Sequence, residues 1–259
     1  KPALPCMVRN FIAMLSHFPT PIIFAHRGAS AQAPENTLAA FELAAKLGAP
    51  AIEFDVKLSS DRQVIIIHDQ TLERTTNGSG AVTKQPLAAL RELDAGSWKS
   101  AEYRGEKIPL LNDVLEAVGK KLLINIELTN YATPFDGLVR EVAALVSKHA
   151  LQKRIIFSSF NFNNLLAAQR LLPGVPCGQL ILEGRSGWFQ RLTARFMQLE
   201  AEHPYTDDVD AVLVHRAHRQ GRRVHVWTVN DPADMRRLRA CGVDGIFSDD
   251  PVLAQEYFK

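Results

Sequence analysis

Between Ala25 and Asp69 the chain reads AHRGASAQAPENTLAAFELAAKLGAPAIEFDVKLSSDRQVIIIHD, and two histidines, His26 and His68, bracket two carboxylates, Glu53 and Asp55. Each of the four sits within, or at the end of, an apolar strand-like run. Histidine titrates near neutrality, so a pair can act as base and acid on the two sides of a phosphorus atom. Alternating strand carboxylates are the beginning of a site for a hard divalent cation. Together they point to cleavage of a phosphodiester.

Side chains alternate along a strand, so Glu53, Asp55 and Lys57 share one face of Ala51–Lys57, and Ile52, Phe54 and Val56 share the other. In a barrel the apolar set packs against helices and the charged set points inward, where charge is costly unless paired or coordinated. Glu127 repeats the situation in LLINIELT, with Asn125 and Thr129 on its face. Taken singly, each carboxylate fits a buried ion pair with Arg27 or Lys57 equally well. Taken with two histidines at strand ends, Glu53, Asp55 and Glu127 read better as ligands for Mg²⁺ or Ca²⁺. Arg27 suits bidentate contact with phosphate oxygens, and Gly28 allows close backbone approach.

Pro34-Glu35-Asn36-Thr37 opens a helix. Helix capping is the expectation for Thr37, while Glu35 and Asn36 leave His26 by a short loop and border the same site. Further rim candidates are Ser158, Ser159, Phe160 and Asn161 in FSSFN. Trp227 in VHVWTVN fits a wall for the alcohol group and ordinary barrel packing about equally. The remaining histidines (His17, His149, His203, His215, His218, His225) lack such settings and read as surface or helix-packing residues.

The elements that must position these groups alternate along the chain. Strands are expected at Ile22–His26, Ala51–Lys57, Leu122–Leu128, Ile155–Phe160, Cys177–Leu182, Gln198–Ala201, Val224–Val229 and Asp244–Ser248. Helices are expected between them, among others at Thr37–Leu47, Phe135–Lys148 and Asp207–Arg219. Eight strand–helix repeats predict a (β/α)₈ TIM barrel in one domain spanning residues 1–259. Val64–His68 follows strand two after only Leu58–Gln63, too short for a parallel crossover, so it is predicted to return as an antiparallel hairpin. That return brings His68 to about the level of Glu53. The polar stretch Gln70–Lys107 then forms an insertion of about residues 69–108 at the carboxyl rim, with turns at Asn77-Gly78 and Gly80.

With 46% hydrophobic residues, the 259-residue chain can bury a large core. Its net charge of +2 without like-charge runs gives no compositional support for nucleic-acid or anionic-membrane partners. Arg222 and Arg223, beside Arg219, read as a solvated helix end. Cys6, Cys177 and Cys241 are odd in number and widely spaced, which argues against disulfides and a zinc site and favours a reduced, cytoplasmic protein. No stretch approaches the length of a membrane span. Phe11, Ile12, Met14, Leu15 and Phe18 suit a short helix covering one end of the fold, ahead of a membrane-touching anchor.

AHRG, PENT, EFDVKLSSD, VIIIHD, LERTTNGSG, LDAGSW, NIEL, SSFN, WTVN and GVDGIFSD, in this order from about Ile22 to Pro251, resemble the glycerophosphodiester phosphodiesterases, especially compact bacterial cytosolic members. The resemblance implies a phospholipase-C-like TIM barrel. It also implies a divalent metal on Glu53, Asp55 and Glu127, His26 and His68 as the acid/base pair, and Arg27 on phosphate. The expected reaction is hydrolysis of glycerophosphodiesters to sn-glycerol 3-phosphate and an alcohol, with Glu35, Phe160, Trp227 and Thr129 contacting substrate. Two departures stand out. Thr129 occupies a position where the family usually has lysine, and Asp61-Arg62 stands where Asp-Gly is common. The rival readings are a lysophospholipase D, for which Trp188, Phe189 and Phe196 would line an apolar groove, although helix packing explains these residues as well, and a non-catalytic phosphodiester-binding protein.

Overall fold

The computed structural model describes residues 20–258. The expectations for residues 1–19, including the amphipathic turn at Phe11–Phe18, lie outside the described residues. Nine strands form one sheet: β1 (Ile22–His26), β2 (Ala51–Leu58), β3 (Val64–Ile66), β4 (Leu123–Leu128), β5 (Ile155–Ser159), β6 (Cys177–Ile181), β7 (Ala201–Pro204), β8 (Arg223–Val226) and β9 (Gly245–Ser248). All but β3 pair in parallel around a closed ring in which β1 touches both β2 and β9. The eight-stranded parallel barrel is thus present. β3 lies antiparallel on β2 with Val56 opposite Ile66, so His68, two residues further, is level with Phe54, between Glu53 and Asp55.

Helices cover the outside: α1 (Leu38–Lys46), α2 (Leu87–Glu92), α3 (Leu111–Val118), α4 (Leu138–Lys148), α5 (Phe162–Leu171), α6 (Trp188–Ala194), α7 (Ala211–Arg219), α8 (Pro232–Cys241) and α9 (Pro251–Phe258). None is long and apolar enough to cross a membrane. Thr37 caps α1 by accepting from the Ala40 amide at 3.3 Å, as its residue type predicts. The α4 and α7 starts fall later than expected, at Leu138 after Gly137 and at Ala211 after Asp210, whose carboxylate takes the Leu213 amide.

The alternation expected on β2 is realised. Ile52, Phe54 and Val56 join the outer core beneath the helices with Phe41, Val114, Ile124 and Ile126. Inside the barrel Ile22, Phe24, Ala51, Leu123, Ile156 and Phe247 fill the lower part, leaving the polar upper positions to Glu53, Asp55, Asn125 and Glu127. The insertion carries its own small core of Ile65, Ile67, Leu72, Val82, Leu90, Ala95 and Ile108, which clamps it onto the hairpin.

Three expectations are corrected. The seventh barrel strand is Ala201–Pro204, not Gln198–Ala201. Its Glu-His sequence hides it from a hydrophobic reading, because both polar side chains are buried with partners. Glu202 pairs at 2.7 Å with Arg222, which is therefore a buried ion-pair member and not part of a solvated helix end. His203 and His225 are not surface or helix-packing residues. They face each other inside the barrel, fully buried, with His203 Nε2 3.2 Å from His225 Nδ1 and rings against Phe247 and Phe24. A Cβ at residue 178 would lie 2.3 Å from His203 Nε2, so Gly178 provides the room for that ring.

The outer nitrogens of the pair, His203 Nδ1 and His225 Nε2, have no partner. Burial pushes His203 down to about 3, and burial together with His203 holds His225 well below its ordinary value. Both are therefore neutral when folded but titrate near 6.5 when unfolded. Below that pH the unfolded chain binds more protons, so acidification destabilises the fold. Stability should fall by roughly 1 kcal/mol per pH unit per histidine below about pH 6. Urea unfolding at neutral and mildly acidic pH should show a smaller loss for His203→Gln than for the native chain; equal losses would mean that the pair does not titrate.

Candidate active site

The two parallel pairings of β2 set the site. Register places His26 beside Glu53, Glu53 beside Asn125, Asp55 beside Glu127, and Glu127 beside Ser158. Ligand oxygens of Glu53, Asp55 and Glu127 all lie within 4.8 Å of one another. Burial, then the neighbouring Asp55 and Glu127 charges, push Glu53 well above the carboxylate range. Burial and Asp55 push Glu127 up to about 8. Burial would raise Asp55 too, but Arg27 and His68 bring it below its usual value.

Compensation within the protein is partial. Arg27 Nε is 3.4 Å from Asp55 Oδ2, Asn36 Nδ2 donates to the same oxygen at 2.9 Å, and the Arg27 amide donates to Glu53 Oε2 at 3.1 Å. Tyr131 donates its hydroxyl to Glu127 at 2.8 Å. Glu53 Oε1 is buried with no donor. An all-oxygen triad with an orphaned buried oxygen fits a hard divalent cation.

Local backbone aims these groups. Arg27 adopts a left-handed φ of 56°, and Gly28 follows at 86°. A Cβ on residue 28 would sit 2.6 Å from the Ala40 Cβ, so only glycine fits there. This turn sends the Arg27 amide to Glu53 and its guanidinium to Asp55 and Glu35. Burial opposes the Arg27 charge, but Asp55, Glu35 and Glu53 more than offset it and keep the group firmly protonated.

Each histidine is oriented by a carboxylate. His26 Nδ1 is 2.6 Å from Asp249 Oδ1, leaving Nε2 on the Glu53 side at 3.9 Å. Burial would raise Asp249, yet its bonds to His26, Asn230 and Ser30 hold it at about 2. His68 Nδ1 is 2.6 Å from Asp69 Oδ1. Arg74 grips Asp69 at 2.6 Å and Glu35 at 2.7 Å, and Glu35 bonds Arg27 at 2.7 Å. A continuous charged chain therefore joins His68 on the hairpin to Arg27 after β1.

A cleft of about 110 Å³ opens over this floor, with His26, Arg27, Glu53, Glu127 and His68 on one side. Phe160 and Trp227 meet edge to face at 5.5 Å on the other. Trp227 also donates its indole N–H to the His203 carbonyl at 2.7 Å. Asp55 lies behind Arg27, and Glu35 holds Arg27 from outside.

Thr129 is placed differently from the expectation that it contacts substrate, and it does not line the cleft. Its hydroxyl donates to the Val56 carbonyl at 2.8 Å and accepts from Lys57 Nζ at 2.8 Å. The alternation ends with β4 at Leu128, and Lys57, buried and without an ion pair among the described residues, needs that acceptor. Asp249, Asp69, Arg74 and Tyr131 are site residues that the sequence reading missed. A signal existed for Asp249: it follows the last barrel strand, which must close on β1. Arg74 lies in the irregular insertion, where no periodicity marks it.

Residues 26–253 match the model of the glycerophosphoryl diester phosphodiesterase family. A glycerophosphodiester phosphodiesterase of Caldanaerobacter subterraneus subsp. tengcongensis is 37% identical over 232 residues, 89% of this chain and 94% of that protein. One from Bacillus subtilis (strain 168) is 34% identical over 247 residues, 88% and 83% of the two chains. The structure of an Oleispira antarctica phosphodiesterase in complex with the product sn-glycerol-3-phosphate is similar with a TM-score of 0.81 and 36% identity, covering 94% of this chain and 98% of that one.

If the triad holds a cation, binding must stabilise the folded state by mass action, about 2.7 kcal/mol at a hundredfold excess over Kd. Chelator-treated protein should gain thermal stability on addition of Mg²⁺ or Ca²⁺, and Glu53→Gln should gain far less. A melting temperature indifferent to both cations would exclude the site.

Proposed function

The chain belongs to the glycerophosphoryl diester phosphodiesterase family, and we propose that it hydrolyses glycerophosphodiesters to sn-glycerol 3-phosphate and an alcohol, using a divalent cation and two histidines. The observation that carries this reading is the pair of carboxylate-oriented histidines that line one cleft together with Glu53 and Glu127 of the crowded acid triad. The coarser activity, phosphodiester hydrolysis, agrees with the relatives named above. Mg²⁺ and Ca²⁺ both suit the oxygen donors of Glu53, Asp55 and Glu127.

A bound cation would supply charge neutralisation at the phosphodiester and its developing oxyanion. The protein's own residues do the rest. Arg27, immobilised by Glu35, presents a permanent positive charge to a phosphate oxygen. Asp249 fixes His26 with Nδ1–H engaged and Nε2 turned to the cleft, and Asp69 does the same for His68. One imidazole removes the proton from the attacking hydroxyl, of water or of the neighbouring glycerol carbon. The other gives a proton to the leaving alkoxide as the P–O bond breaks. Phe160 and Trp227 form the wall against which the alcohol packs. Thr129 acts at one remove, by holding Lys57 beside the acids.

The test is an assay panel of water-soluble glycerophosphodiesters, with metal and with chelator. Chelation should abolish turnover, and His26→Ala and His68→Ala should each lose about 10²–10⁴-fold in kcat while remaining folded. Near-normal turnover by either variant would remove that histidine from the mechanism. Asp249→Asn should lower kcat by less than His26→Ala does, and scarcely further in the double variant, because both act on one proton transfer. Additive losses would separate Asp249 from His26.

A further inference from the structure

The helix α6 and its flanks are turned inside out relative to an ordinary surface helix, which buries its apolar stripe. Trp188, Leu192 and Phe196 recur at helical spacing along one exposed side, with Phe189 beside them, and Trp188 is 63% and Phe196 83% exposed. The buried side carries Gln190 and Ala194, and Gln190 Oε1 lies there without a partner. With Leu182, five of the eleven large apolar residues exposed among the described residues fall within these 15 positions. Helix packing accounts for Phe189, which meets Phe162 of α5, but not for Trp188 and Phe196, which are mostly exposed.

The stripe is charged as well as apolar. Arg185, Arg191 and Arg195 alternate in sequence with Trp188 and Leu192, and together with Asp208 they line an open groove of about 570 Å³. Arg191 is committed to Asp208 at 2.6 Å and to the Gly184 carbonyl at 2.6 Å. Arg185 and Arg195 have no ion-pair partner among the described residues, and Glu183 is the exposed acid next to them in sequence. The patch begins at the carboxyl rim. Phe189 stacks edge-on against Phe162 at 5.8 Å, and Phe162 follows the cleft residue Phe160 by two positions.

We propose that Leu182–Phe196 is a docking surface for an anionic lipid bilayer. Exposed Trp, Phe and Leu beside arginine are the composition of a helix that lies in the interfacial plane. The rings enter the boundary between headgroups and acyl chains, while Arg185 and Arg195 meet lipid phosphates, which attract cations near the surface. The small net charge of the whole chain does not oppose this, because screening confines the attraction to about a Debye length. Docking by this flank holds the mouth of the cleft beside the lipid surface.

The test is co-sedimentation with phosphatidylcholine vesicles with and without phosphatidylglycerol. The native chain should bind the phosphatidylglycerol vesicles, and the combined Trp188→Ala, Phe196→Ala variant should bind at least tenfold more weakly. Arg185→Glu with Arg195→Glu should remove the preference for the anionic vesicles. Because these side chains lie outside the cleft, all variants should keep native hydrolysis of a water-soluble glycerophosphodiester and native melting, so a failure of the proposed activity would leave the vesicle result intact. The proposal is overturned by absence of binding to either vesicle, by binding that survives loss of Trp188 and Phe196, or by a dimer in sedimentation velocity that Phe196→Ala dissolves without any lipid binding.

Discussion

Three carboxylates forced together inside a barrel mouth are the constraint around which the rest of this structure is organised. Glu53 and Asp55 come from one strand and Glu127 from its neighbour, and register leaves them no room to separate. Like charges at such spacing raise one another's proton affinity unless a cation intervenes. Arg27 supplies one positive charge at 3.4 Å from Asp55. That is enough to hold Asp55 ionised but not to relieve Glu53 or Glu127. The residual repulsion is what suits the cluster to the divalent ion proposed above.

Around this cluster the protein places each mobile group under the control of a second residue. His26 is held by Asp249, His68 by Asp69, Arg27 by Glu35, and both Glu35 and Asp69 by Arg74. Arg74 belongs to the insertion, so the loop's small core of Leu72, Val82 and Leu90 bears on the orientation of two cleft residues. The same fold contains a cost with no evident role in the cleft: a neutral histidine pair sealed among Phe24 and Phe247 below the site, with two ring nitrogens unsatisfied. Trp227 bridges the two levels, since it lines the cleft and bonds the His203 carbonyl.

What the sequence determined by itself was whatever depends on local periodicity. Alternation in EFDVKL put the charged face inward and the apolar face under the helices, and a six-residue gap required the hairpin that returns His68. Apolar runs located seven of the eight barrel strands to within a few residues. The remaining one, Ala201–Pro204, was expected at Gln198–Ala201 because its buried face is polar, and a hydrophobic pattern cannot distinguish a buried histidine from an exposed one.

Only the tertiary structure decided which groups meet across long separations. Closing β9 on β1 brings Asp249 to His26 across 223 positions of chain, and no spacing rule encodes that contact. Thr129 shares a strand direction with Glu127, yet its hydroxyl turned to Lys57, because a buried ammonium without an ion pair takes the nearest acceptor. Trp188 and Phe196 read in sequence as packing or groove residues. Their exposure became evident only when the barrel was built, since a helix's inward face depends on the position of the sheet it covers.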